Sequence, residues 1–297
     1  MITKELLAEI FGKKADDLFG YLGNKNRGGR NNTKGNSFEN FFAVYQIAKL
    51  LNEDLNHAKI FFSAQQFLFI DDLIIEFHNV NKTCFYQIKD VQELDWGSGN
   101  NTIANDFEFQ YEISKHLSRD AKLELMVSKK EVCDELLRKI PESLNGKVSV
   151  GFFSTDTSIP NLIRTNEIMK EALKRICALQ NPATNKLEAL ATIILGVWDA
   201  SDKQSICLSD LKSDCLNINP NYFKGFENEI NEKLKAIFLS VNGFEYRVEN
   251  GFIVWKYLSS DVGTLSFAIG TKEFLQWEND VLNAHIQNFD DLEIHLI

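Results

Sequence analysis

The stretch Phe67–Asp90, FLFIDDLIIEFHNVNKTCFYQIKD, decides how the chain is read, because two very apolar segments in it carry Asp71, Asp72, Glu76, Gln87 and Lys89. β-Branched and aromatic residues dominate both halves, so the spacing predicts strands over 67–77 and 83–89 joined by a turn at Asn79–Lys82. An ionised side chain in a buried strand is costly unless it is paired, and a metal ion is one such partner. Side chains two apart in a strand share a face. Gln87 and Lys89 therefore point together, as do Asp72, Ile74 and Glu76. If the strands pair, Asp72 reaches Gln87 and Lys89 at the end of the sheet.

Outward from this hairpin, helices and strands interleave. A helix is expected over residues 3–22, and then GNKNRGGRNNTKG (23–35) reads as a glycine- and asparagine-rich basic loop carrying Lys25, Arg27, Arg30 and Lys34. It is either a solvated linker or an arm that contacts phosphates. Ser37 is placed to cap the next helix, whose apolar stripe is Phe38, Phe41, Phe42, Tyr45, Ala48 and Leu51, with Glu39 beside it. Further strands are expected near 60–62, 123–127 and 148–154, and helices over 104–117 and 130–140. This is an α/β pattern with a mixed sheet flanked by helices. After Pro160 helical patterns dominate (161–179, 184–198, 208–216 and 230–241), followed by two alternating runs about Asn250-Gly251, a hairpin signal. Helices followed by such a hairpin resemble a winged-helix module. The expected division is a first domain over 1–157 and a C-terminal helical and wing region over 158–297 that docks to a partner.

The 297 residues, 44% hydrophobic and 25% charged, suffice for a sizeable core. No apolar run approaches the roughly 18 residues that a membrane-spanning helix needs, and the N-terminal stretch lacks a signal-peptide pattern. Five scattered cysteines with no C-x-x-C pair favour a reducing cytoplasm and disfavour structural zinc. The net charge is −10 (−3 over residues 1–155, from 19 basic and 22 acidic, and −7 over the rest, from 13 and 20), so this chain is ill-suited to grip DNA alone.

Asp72 followed by Gln87-Ile88-Lys89 resembles the D…(D/E/Q)-x-K signature of the PD-(D/E)XK restriction-endonuclease-like superfamily, in its Q-x-K variant. With GNSFENFFAVYQIAKLL upstream, then IDDLII and FYQIKD, residues 35–155 are similar to the double-stranded-DNA nuclease domain of bacterial anti-phage effectors, including the nuclease subunit of Lamassu-type systems. The resemblance implies that Asp72, Gln87 and Glu39 hold Mg²⁺, for which Mn²⁺ can substitute, and that Lys89 is the catalytic lysine. Asp71 replaces Asp72 if the strand slips by one residue. It implies a restriction-endonuclease-like sheet, duplex DNA as substrate and a larger protein assembly, of which an SMC-like ATPase is a candidate member. Glu76 is a secondary candidate or an ion-pair partner. Trp96 and Gln110 resemble positions downstream of the nuclease core, or are a packed indole and a helix-surface amide. An inactive nuclease-like adaptor is the alternative, supported by Gln87 in place of an acid, and an RNA-directed nuclease is a third reading.

Overall fold

The structure is a computed structural model and describes residues 2–30, 35–179, 181–224, 229–249 and 251–296. It opens with helices α1 (Lys4–Phe11) and α2 (Ala15–Arg30), then α3 (Gly35–Leu51). An antiparallel trio follows, β1 (Ile60–Ser63), β2 (Leu73–Phe77) and β3 (Lys82–Lys89). Two crossovers add α4 (Ile103–His116), β4 (Asp120–Val127), α5 (Lys130–Arg138) and β5 (Val148–Phe152), with β3, β4 and β5 parallel. Helices α6 (Ile159–Thr165), α7 (Glu167–Ile176) and α8 (Thr184–Ala200) lead to the two-residue β6 (Ile206–Cys207), which pairs with β1. Among the described residues the six strands form one mixed sheet in the order β5-β4-β3-β2-β1-β6. The chain continues through α9 (Leu208–Ile218) and α10 (Glu232–Ser240) to a separate antiparallel sheet of β7 (Phe244–Glu249), β8 (Phe252–Tyr257) and β9 (Asp261–Thr264), and ends in α11 (Lys272–Asn283) and α12 (Phe289–Leu296).

The chain divides into two compact units: residues 1–172 with 194–211, and residues 173–193 with 212–297. The expected boundary at 157 thus falls inside the first unit. In that unit the alternation of strand residues sorts the core onto two faces of the sheet. Ile74, Phe85, Leu123, Leu125 and Val127 pack with Phe107 of α4 and with Val132 and Leu136 of α5. Tyr86, on the opposite parity of β3, meets Phe42 of α3 edge-on at 5.2 Å between ring centroids. In the second unit Trp277 and Phe289 lie in a core with Phe238, Phe244 and Ile253, so these aromatics are packing residues and not an exposed interface. The expected hairpin there gains a third strand, β9, and its turn uses Gly251 in the left-handed region (φ 79°), while Asn250 lies outside the described residues.

Four expectations need correction. The strand expected over 67–77 begins only at Leu73, where pairing starts: β3 pairs with residues 73–77 and β1 with 74–77. Phe69, fully buried, instead has its N–H on the Gln110 side chain at 3.3 Å and its carbonyl on Lys25. The basic loop expected over 23–35 is helical as far as Arg30. Gly28 and Gly29 each disfavour a helix interior by about 1 kcal/mol, but Leu22 is buried, Lys25 is bonded inside the unit and Asn26 donates to the Gln65 carbonyl at 3.1 Å. Lys34 and its neighbours over 31–34 lie outside the described residues. Ser37 does not cap α3, which starts two residues earlier at Gly35. The single helix expected over 161–179 is broken at Asn166, whose side chain donates to Ser154 at 2.9 Å and accepts from the Met169 N–H that opens α7.

Candidate active site

The site forms where β3 ends and β2 begins. Leu73 stands opposite Tyr86 in the antiparallel register, which places Asp72, one residue earlier, across from Gln87. One carboxylate oxygen of Asp72, Oδ2, collects three donors from consecutive residues of β3: the Gln87 amide Nε2, the Ile88 backbone N–H at 2.7 Å and the Lys89 ammonium at 3.2 Å. Asp72 and Gln87 are buried, whereas the Lys89 side chain keeps 33% of its surface exposed. Solvent therefore reaches the lysine and not the acid that holds it.

Glu39 approaches from the first turns of α3 and is joined to Asp72 by Gln65, a residue that the sequence did not single out. Its Nε2 donates to Glu39 Oε2 at 3.0 Å and lies 3.4 Å from Asp72 Oδ1. Gln65 takes a left-handed backbone (φ 53°), uncommon for a residue with a Cβ, and its N–H donates to the Asp71 carbonyl at 2.6 Å. No motif marks it, since it lies seven residues from Asp72 in a segment that folds back only in the tertiary structure.

A second group of polar residues lies on the Gln87 side. The Lys25 ammonium, carried on α2, donates to the Phe69 carbonyl, to Asp106 Oδ2 at 2.8 Å and to Gln87 Oε1 at 3.2 Å, and pairs with Asp71 Oδ1 at 3.7 Å. Tyr21, one helical turn earlier, donates to the same Asp106 oxygen at 3.2 Å. A lysine offers only donors, so Gln87 presents its oxygen to Lys25 and turns its nitrogen to Asp72. The oxygen expected to serve as a ligand beside Asp72 thus faces Lys25.

Electrostatics follow from the geometry. Burial, and then the charge of Asp72, push the Glu39 carboxyl up to about 7. Burial likewise lifts Asp71 to about 7 against the pull of Lys25, and it raises Asp106 above the ordinary carboxylate range. For Lys89, burial works against the ammonium, but Asp72, Glu39 and Asp71 more than offset it and hold the pKa above the ordinary lysine value. Four acids face two lysines here, so the fully ionised network carries an excess of two negative charges.

That excess suits a divalent cation. Among the described residues no three His, Cys, Asp or Glu side chains come together as a metal cage. A cation here would draw on the Glu39 and Asp72 carboxylates plus neutral oxygens and water, a donor set that fits Mg²⁺, which is bound through one or two carboxylates and keeps several waters.

The remaining candidates are placed as follows. Asp71 does not replace Asp72 beside Lys89; it faces Lys25. Glu76 lies 3.9 Å from Arg119 and from His78, away from the cluster. Trp96 is a packed indole that donates to the Leu136 carbonyl at 3.0 Å and meets Phe107 edge-on. Gln110 is buried and not a surface amide, and it anchors Phe69. Arg27 stays on the exposed face of α2, bonded to Asn24 at 2.6 Å. Arg30 ends that helix.

Comparison with protein-family models, with curated proteins and with solved structures returns no match. No helix among the described residues is long and apolar enough to cross a membrane.

Proposed function

We propose that this chain is a Mg²⁺-dependent endonuclease that hydrolyses phosphodiester bonds of double-stranded DNA. In this reading it is the effector subunit of a bacterial anti-phage or anti-plasmid defence complex, restrained until a partner delivers DNA. The observation that carries the chemistry is the Lys89 ammonium, on a side chain that is one-third exposed, held 3.2 Å from a buried Asp72, with Glu39 tied to that same aspartate through Gln65. Asp72 and Glu39 would hold the cation, which when bound supplies an acidified water and an electrophile for the phosphate oxygens. Lys89 has the charge and the exposure to steady the negative charge that builds on an attacked phosphate, and Asp72 fixes the direction of its ammonium. The defence setting and the choice of duplex DNA rest on the resemblance of residues 35–155. The net charge of −10 supports restraint, since like-charge repulsion keeps the isolated chain off DNA until a partner lends affinity.

Duplex DNA incubated with the purified chain, alone and with its assembly, in Mg²⁺ or EDTA, tests the proposal. Cutting should require Mg²⁺ and fall about 10²–10³-fold in Lys89→Ala, the loss typical of removing one donor to a developing charge. Unchanged metal-dependent cutting by Lys89→Ala would discard the assignment.

One observation favours the adaptor reading: Asp72 Oδ2 is already engaged by three donors and Gln87 turns its oxygen away from it. Calorimetric titration with Mg²⁺ separates the two, because an adaptor that has lost the site takes up no cation.

A further inference from the structure

Lys25 lies in surroundings that a surface lysine on a glycine-rich helix does not ordinarily find. Its nitrogen is enclosed by four oxygens from three parts of the first unit: the Phe69 carbonyl and the Asp71 carboxylate from the segment before β2, Gln87 Oε1 from β3 and Asp106 Oδ2 from α4. Two of these groups are carboxylates more than nine-tenths buried, at 3% and 6% exposure for Asp71 and Asp106. An ammonium carries three protons and cannot satisfy so many acceptors. Asp71 Oδ1, at 3.7 Å, is accordingly left buried without a hydrogen-bond partner, and the second carboxyl oxygen of Asp106, Oδ1, is also buried without one. Hard anionic and neutral oxygens that converge on one point, two of them carboxylate and two neutral, make the donor set of a divalent cation.

We propose that Phe69, Asp71, Gln87 and Asp106 form a second divalent-cation site that the Lys25 ammonium plugs in this structure. The inference rests on the hydrolytic reading only for its consequence, that Lys25 restrains the neighbouring Asp72 centre. The plug acts in two ways. It fills the oxygen cage with a single positive charge where a divalent ion would supply two. It also holds the Gln87 amide with its oxygen in the cage and its nitrogen on Asp72 Oδ2. The lysine reaches the cage from α2, whose polar contacts there are those of Tyr21, Lys25 and Asn26 and whose Leu18 and Leu22 are packed in the core with Phe69.

The test is Mn²⁺ titration of the full chain, wild type against Lys25→Met, which keeps an apolar stem and removes the charge. Calorimetry should give about one more equivalent of Mn²⁺ for Lys25→Met than for wild type, and adding Asp106→Asn should remove that equivalent. Thermal unfolding by circular dichroism guards against misfolding. Should Lys25→Met be unfolded without metal, Mn²⁺ must restore its fold, and failure to do so overturns the proposal. An unchanged stoichiometry in a folded Lys25→Met also overturns it. A wild type that binds one ion and a variant that binds the same one leave the Asp72 centre standing and remove the plug. A wild type that binds none and a variant that binds one keep the plug and remove the Asp72 centre.

Discussion

Glu39 and Asp72 are two carboxylates tied to one amide, and the burial of Glu39 beside the Asp72 charge sets a pH signature. The Glu39 carboxyl ordinarily titrates near 4.5 and is raised to about 7 in the folded chain, by burial and by the Asp72 charge. Between those values the folded chain keeps a proton that the unfolded chain has released, so the contribution of Glu39 to stability falls as pH rises through that window. Glu39→Gln, which cannot ionise, should therefore gain melting temperature relative to wild type between pH 5 and pH 8 in EDTA, as read by calorimetric scanning. A pH-independent difference would refute the strained carboxylate. At this scale the sequence was informative where the two-residue alternation of strands fixes neighbours, which is why Gln87 and Lys89 fall together beside Asp72. It was silent on Gln65, and it read Lys25 as part of an exposed basic loop where the structure turns it inward. Their partners are distant in the chain, and no local rule ties a glutamine in a turn or a lysine on a helix to a carboxylate elsewhere.

Helix α3 delivers Glu39 because its apolar stripe seats it on the sheet. Phe42 stands at the centre of that contact, with the Tyr86 ring at 5.2 Å and the Phe153 ring at 5.4 Å. Truncating a fully buried phenylalanine leaves a cavity and costs about 3–5 kcal/mol. Phe42→Ala should lose that much stability in urea unfolding, and it should weaken Mg²⁺ uptake through the displaced Glu39. A stability loss under about 1 kcal/mol would show that α3 is held elsewhere. Elements with a clear period, such as α3, α4 and β3 to β5, were legible with boundaries displaced by a few residues. The segment before β2 and the second half of α2 were misread for opposite reasons. The apolar residues 67–70 belong to no strand and are tied down by Gln110 and Lys25 at Phe69, whereas the glycine-rich segment is helical as far as Arg30, with Lys25 and Asn26 bonded to partners in the first unit.

The whole molecule carries a net charge of −10, and that sets what it does unaided. The isolated chain should bind duplex DNA no more tightly than about 10⁻⁴ M at physiological salt, the weak end of non-specific binding, as measured by fluorescence anisotropy. Binding in the nanomolar range by the chain alone would overturn the idea that a partner supplies the affinity. The mixed α/β class and the helical C-terminal region with its hairpin were settled by the sequence itself, because amphipathic period and turn residues are local properties that survive any arrangement of the elements. The two-unit division, with residues 194–211 returning to complete the first unit and its sheet edge, was decided only by the tertiary structure. So was the enclosure of Lys25 by four oxygens. Both depend on which distant surfaces exclude water from one another, and that is a property of the packed chain and not of any window within it.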